Sequence, residues 1–353
     1  MKVGLEIHQQ LVPRKLHCRC PVELTETVQG AVERRLRVAS GEELGVDPAA
    51  EFQAARESIF RYEWGPSNCL VDLDEEPPNE LDPDALDVAL TMALLLHARP
   101  VDEIEVMRKI VVDGSNTTGF QRTSLIAMGG YVEVEGRRFA IQSVCLEEDA
   151  ARKVSDRDGV VTYRLDRLGV PLIEISTQPE MTSGEEARRV AEEIGSLLRS
   201  TERVRRGIGS IREDLNVSVD GGHRVEIKGA QELRLLPEYV EREGDRQRML
   251  LTLRDSLRAR QATDPHEPPV DLTDLARGIG SGPIGQALRR QGHVFGLRLP
   301  GLPVCSSPRR ARPNGSVESW PTRPGRAGST ACSTRTSFRT RRVGEISCGR
   351  VRD

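Results

Sequence analysis

The chain has 353 residues, of which 37% are hydrophobic, 3% aromatic and 30% charged, with a formal net charge of −3. That length suits two or three domains, with a core of Leu, Val, Ile and Ala rather than rings. No apolar run reaches the roughly 20 residues of a membrane helix and no basic leader opens the chain, so a cytoplasmic protein without a signal peptide is expected.

In chain order, residues 3–7 read as a short strand, followed by a polar segment holding His17-Cys18-Arg19-Cys20. Asp82 and Asp84 offer N-caps for a helix through His97, with Pro83 near its first turn. Residues 104–113 and 131–144 alternate as strands do, and 113–119 between them read as a loop. Two more strands fall at 160–165 and 171–176. Ser183 and Glu186 have the spacing of a capping box, and Ala187, Val190, Ala191, Ile194, Leu197 and Leu198 form one apolar stripe of the helix that follows. Strands at 215–219 and 224–227 precede a charged helix over 237–259. Residues 264–269 have the composition of a linker, with a helix near 284–291 and a strand near 293–299 beyond it.

Five segments carry residues suited to chemistry. In a strand, Glu6 and His8 share a face, so that a carboxylate and an imidazole together offer a divalent metal two ligands; the alternative is a solvated edge strand. Cys145-Leu146-Glu147-Glu148-Asp149 is either a solvated acidic run or the source of one acid aimed into a cleft. Glu174 lies inside the apolar run Pro171-Leu172-Ile173-Glu174-Ile175, where a carboxylate is costly unless paired or bound to a metal; otherwise it faces outward. The loop 113–123, with Arg122, has the small residues and hydroxyls that allow close approach to phosphates, as does Arg205-Arg206-Gly207-Ile208-Gly209-Ser210 before Arg212, for which the alternative is a solvated turn. Cys18 and Cys20 need two more ligands to hold zinc, and Cys69 and His17 are the nearby offers; the alternative is reduced structural thiols.

Taken in order, these segments resemble one family. Gly4-Leu5-Glu6-Ile7-His8-Gln9-Gln10-Leu11, Leu146-Glu147-Glu148-Asp149-Ala150, Gly169-Val170-Pro171-Leu172-Ile173-Glu174-Ile175, Ile211-Arg212-Glu213-Asp214-Leu215-Asn216-Val217-Ser218 and Val225-Glu226-Ile227-Lys228-Gly229 resemble the B/E subunits of tRNA-dependent amidotransferases. Asp74-Glu75-Glu76-Pro77-Pro78 and the segment from Asp113 to Thr123 are similar to the archaeal E form. The resemblance covers about residues 3–302. It implies an α+β catalytic domain with a mixed or antiparallel sheet over residues 1–265. Residues 266–302 would begin an insertion domain like that of aspartyl-tRNA synthetases. It also implies a ligase that uses ATP and Mg2+ to phosphorylate the side-chain carboxylate of Glu-tRNA(Gln). An asparaginase-like D subunit then supplies the ammonia, in what is a heterotetramer in the intact family member. Carried over by motif, Glu6, His8, Glu148 and Glu174 would bind metal, and Lys109, Arg122 and Arg212 would contact ATP or the acyl-phosphate. The rival readings are an inactive remnant that only docks the D subunit, and an RNA-binding protein.

From Leu302 onward there are 11 Arg, no Lys and three acids, giving +8, so the rest of the chain carries −3 − 8 = −11. The family continues with a segment resembling Val-Phe-His-Thr-Asp-Glu-Leu-Pro. One coding of it, GTG TTC CAC ACG GAC GAG CTT CCG, read one nucleotide later, gives Cys-Ser-Thr-Arg-Thr-Ser-Phe-Arg, which is the sequence from Cys332 to Arg339. A shifted reading frame after Leu302 is therefore expected, leaving 303–353 out of frame and disordered, in place of a natural basic tail.

Overall fold

Strand β1 (Lys2–Gln10) alternates the fully buried Val3, Leu5 and Ile7 with Glu6 and His8 on its other face, as a strand does when it separates a core from a polar surface. The computed structural model of the chain describes residues 1–35, 58–157, 159–263, 267–297, 338–340 and 343–346. It divides into two units, Met1–Met249 and Leu250–Asp353.

In the first unit a nine-stranded sheet is built around β1. Its partners are β4 (Arg99–Pro100), β5 (Val106–Ile110), β6 (Phe120–Met128), β7 (Tyr131–Val134), β8 (Arg137–Glu148), β11 (Pro171–Thr177), β12 (Ile211–Ser218) and β13 (Val225–Ile227). The order is β13-β12-β1-β11-β8-β6-β4, with β5 on β6 and β7 on β8, and every pairing is antiparallel. β1 is thus a central strand, paired on both sides, and not the solvated edge that its Glu and His alone would allow. Val144, Leu146, Ile173, Ile175, Leu215 and Val217 share its buried face and join one core with helices α1 (Pro83–Leu95) and α2 (Gly184–Ser200) through Val88, Met92, Val190, Ile194 and Leu198. Each such side chain contributes about 1.5–3 kcal/mol on burial. A third helix, α3 (Leu236–Ala259), adds Leu236 and Val240 to this core.

Asp82 caps α1 by accepting from the Ala85 N–H at 3.0 Å. Ser183 caps α2 by accepting from the Glu186 N–H at 3.2 Å. The Glu186 carboxylate accepts from the Thr182 N–H, one residue before the position that a full capping box uses. Two expectations change. Residues 131–144 form not one strand but the hairpin β7–β8, turned at Glu135 and Gly136, which both have positive φ. Residues 120–123, read as loop, begin the nine-residue strand β6.

A second sheet of the first unit runs β2 (Gly30–Arg35), β3 (Ile59–Trp64), β10 (Val160–Arg164), β9 (Arg152–Arg157), parallel only between β3 and β10. Phe60, Tyr62 and Tyr163 gather there with ring centres 6.2 to 6.5 Å apart. The Tyr62 hydroxyl donates to Gly114 O and the Tyr163 hydroxyl to Asp113 O, so this aromatic cluster anchors the loop after β5. Gly114 has φ +78° and the Phe60 ring against it, and no side chain fits there.

The second unit holds β14 (Val270–Asp271), α4 (Thr273–Ala276), α5 (Gly282–Arg289) and β15 (Phe295–Gly296), around Ala276, Ile284 and Val294. A further strand pair lies at Phe338–Thr340 and Val343–Ile346. The rest of the stretch read as out of frame, residues 264–266 of the linker and the end of the expected 293–299 strand lie outside the described residues. Among the described residues no helix is long and apolar enough to cross a membrane.

Candidate metal and phosphate site

The large sheet places ionisable residues on the face turned away from its helices. Register aligns His8 with Glu174, Glu174 with Cys145, Thr123 with Glu147 and Lys109 with Gln121, so one polar row crosses β1, β11, β8, β6 and β5. His8 Nε2 lies 3.1 Å from Glu174 and 4.0 Å from Glu147. The Lys109 ammonium lies 3.2 Å from Glu147 and 3.5 Å from Glu174. Thr123 Oγ1 and Gln121 Nε2 donate to Glu147 at 3.0 and 3.1 Å, and the Ser176 hydroxyl donates to Glu174 at 3.2 Å.

Burial pushes both carboxyls up, and the neighbours decide between them. For Glu174, the His8 hydrogen bond and the charges of Lys109 and His8 outweigh burial and hold it at about 2. For Glu147, burial and the Glu174 charge outweigh Lys109 and His8, and its carboxyl is raised. Burial alone would lower Lys109, but the two carboxylates raise it. This contrast in one small space is the mark of a site that handles charge.

Two carboxylates and an imidazole fit a divalent cation. Mg2+ is commonly held by one or two carboxylates together with substrate phosphates. The fit has a stand-in: the Lys109 ammonium bridges the two acids from a side chain that is 56% exposed.

Of the four residues expected to bind metal, the structure brings His8 and Glu174 together, with Glu147 as the third group that could hold an ion. Glu6 sits two residues along the same face, in a separate acidic group with Asp214 and Glu226. There it accepts from Asn216 at 2.9 Å, while Lys228 bridges the other two acids. Glu148 turns to the other side of β8 and is buried against Arg122, whose Nη1 lies 3.0 Å away.

The acidic run is not solvated. Glu147, Glu148 and Asp149 are all buried, and each has its own cation: Lys109, Arg122 and Arg212, the last at 2.9 Å from Asp149. The three basic residues proposed from sequence therefore meet three consecutive acids. Arg122 and Glu148 also line a cleft with Thr117, Thr118, Asn116 and His17. His17 Nε2 and Asn116 Nδ2 are buried there without a hydrogen-bond partner among the described residues. Burial, aided by Arg122, lowers His17 against the opposing pull of Glu148 and Asn79, which favours the neutral imidazole. Sequence reading passed over Glu147 and His17 in this role.

These features define an α+β catalytic-type domain with its ionisable groups on one face of an antiparallel sheet. The profile of the GatB/GatE catalytic domain matches residues 1–325, and the chain belongs to that family. It is 48% identical over 307 residues to the E subunit of glutamyl-tRNA(Gln) amidotransferase from Sulfurisphaera tokodaii, covering 86% of this chain and 49% of that one. It is 49% identical over 304 residues to the E subunit from Thermococcus gammatolerans, covering 85% and 48%. The corresponding figures for Methanopyrus kandleri are 49% over 311 residues, 86% and 49%. The chain spans about half the length of the relatives it matches.

Proposed function

We propose that this chain is the carboxylate-activating part of a tRNA-dependent amidotransferase, working on Glu-tRNA(Gln) with ATP and Mg2+ and taking ammonia from an asparaginase-like D subunit. The observation that carries this reading is the His8, Glu147, Glu174 and Lys109 cluster, in a chain about half identical to subunits named for that reaction.

The chemistry requires activation because a carboxylate is a poor acceptor for ammonia. A carboxylate oxygen of the glutamyl side chain attacks the γ-phosphorus of ATP, the bond from that phosphorus to the bridging oxygen breaks, and ADP leaves. Ammonia then adds to the acyl carbon, the bond to the phosphate oxygen breaks, phosphate leaves, and nitrogen gives up a proton to form the amide. Mg2+, when bound, supplies positive charge against the phosphates. His8, Glu147 and Glu174 would hold it, with Thr123, Gln121 and Ser176 fixing the two carboxylates. Lys109, whose charge the metal would replace between the two acids, would then be available to phosphate. The Nδ2 of Asn116, without a partner among the described residues, offers a donor beside Arg122, whose charge Glu148 keeps in place. Arg212, tied to Asp149, orders the end of the same acidic run.

The test is Glu-tRNA(Gln)-dependent ADP formation by this chain together with the asparaginase-like partner. Glu174→Gln keeps the shape and removes the charge. It should lower kcat by about 10²- to 10³-fold, the scale of losing one electrostatic contact to the reacting groups, with the melting temperature little changed. Equal turnover by the wild type and the variant would sink the reading.

A further inference from the structure

A second set of metal-binding atoms lies apart from the polar row and is not used by the proposed chemistry. Cys18 and Cys20 sit in the turn after β1, and Cys69 and Asp72 in the turn after β3. One ligand atom from each of the four lies within 4.8 Å of every other. A tetrahedral zinc about 2.3 Å from each sulfur sets its ligands about 3.8 Å apart, so small side-chain movements close the site. The four cysteines among the described residues are free thiols, and neither turn has regular secondary structure to bring the sulfurs together.

The surroundings favour a cation at this point. Lys15 is fully buried and its ammonium lies 2.9 Å from Asp72 Oδ2, which also accepts from Asn68 Nδ2 at 3.0 Å and from the Cys69 N–H at 3.2 Å. The other oxygen, Oδ1, faces Cys18 Sγ at 3.9 Å. The carboxylate is thus oriented through one oxygen and offers the second to the sulfurs. Three thiolates and one carboxylate carry −4, a divalent ion reduces this to −2, and Lys15 to −1, a balance that suits a largely buried site. Cys18 is buried while Cys20 and Cys69 are half-buried, which leaves a path for the ion. His17, which the sequence also offered, is turned away and bonded to Asn79 O.

We propose that Cys18, Cys20, Cys69 and Asp72 form a structural zinc site of three sulfurs and one oxygen, with Lys15 fixing Asp72. Soft thiolates select zinc over magnesium, so the site is chemically distinct from the carboxylate cluster on the sheet. A closed site of this kind fastens two turns far apart in sequence and steadies one wall of the cleft, where Lys15, His17, Cys18 and Asp72 all lie.

The test uses the full chain, purified without chelator or added metal. Elemental analysis should give about one zinc per chain, and zinc X-ray absorption should show three sulfurs and one oxygen. Cobalt substituted for zinc should give the thiolate-to-metal charge-transfer and d–d bands of a tetrahedral site. Cys69→Ser should lose the zinc at least tenfold, with Cys145→Ser as a control that retains it. The wild-type measurements stand even if Cys69→Ser fails to fold. A metal-free wild-type protein without thiolate bands on cobalt addition, iron in place of zinc, or a disulfide between Cys69 and either Cys18 or Cys20 would overturn the proposal.

Discussion

At the scale of single residues, parity along β8 decides what Glu147 and Glu148 do. Leu146 enters the core with Ile173, so Glu147 must face the polar row and Glu148 the other side. That rule was available in the sequence, since Cys145-Leu146-Glu147 alternates polar and apolar, but a run of three acids hides it. Glu174 was legible for the opposite reason, as a lone acid between Ile173 and Ile175. Glu213 enters the sequence reading only as part of the motif Ile211–Ser218, because the consecutive polar residues Arg212, Glu213 and Asp214 hide the alternation, yet Glu213 shares the buried side of β12 with Leu215 and Val217. Its Oε2 has no partner among the described residues, and burial alone pushes the carboxyl up to about 7 from its ordinary 4.5. As pH rises from 4.5 to 7 the unfolded chain releases a proton that the folded chain keeps. Stability therefore falls across that window and stays lower above it. Glu213→Gln should raise stability at pH 8 by up to about 3 kcal/mol, at roughly 1.4 kcal/mol per unit, and leave it unchanged at pH 4. Urea unfolding at the two pH values checks this. An equal gain at both would assign the effect to packing instead of charge.

At the scale of elements, the helices were legible and the strand boundaries less so. Asp82 with Pro83, and Ser183 with Glu186, are local signals that act through one or two hydrogen bonds, and both mark helix starts in the structure. The hairpin β7–β8 was missed because Glu135-Gly136 is not the Asn-Gly or Asp-Gly pair that announces a two-residue turn. Strand β6 was missed because Gly119-Phe120-Gln121 continues the small and polar composition of the loop before it. Its place is set by pairing with β5 and β8, which no local pattern carries. Asp82 gives the sharpest test of a local signal. It satisfies a helix-end N–H, and its Oδ2 lies 3.6 Å from Arg14. Asp82→Ala should cost about 1 kcal/mol for the cap, and Asp82→Asn or Asp82→Ser should restore most of it. Thermal unfolding of the three variants separates the cap from the ion pair: a loss as large in Asp82→Asn as in Asp82→Ala would put the stabilisation in Arg14.

At the scale of the whole molecule, both hydrophobic clusters of the first unit are complete by Val240. The polar row, the cleft and the thiol cluster also lie within that stretch. The chain is electrically divided at a later point, with −11 before Leu302 and +8 from there onward. Evolved charge segregation and a change of reading frame both produce such a division, but they differ in one respect. A frame change leaves the nucleotide sequence of the family intact beneath foreign residues, and under one choice of codons the eight residues from Cys332 to Arg339 read, one nucleotide earlier, as Val-Phe-His-Thr-Asp-Glu-Leu-Pro. From Leu302 onward there are 11 Arg and no Lys, a composition unlike that of the rest of the chain. Resequencing the gene from fresh template should therefore place the gain or loss of a nucleotide, not a multiple of three, between the codons of Leu302 and Cys332. The corrected chain should read into the family segment and lose the Arg excess. An unchanged reading from several independent templates would instead establish residues 303–353 as a genuine arginine-rich segment. Nucleic-acid affinity should then fall when it is removed, with a salt dependence that grows with the number of phosphates its arginines neutralise.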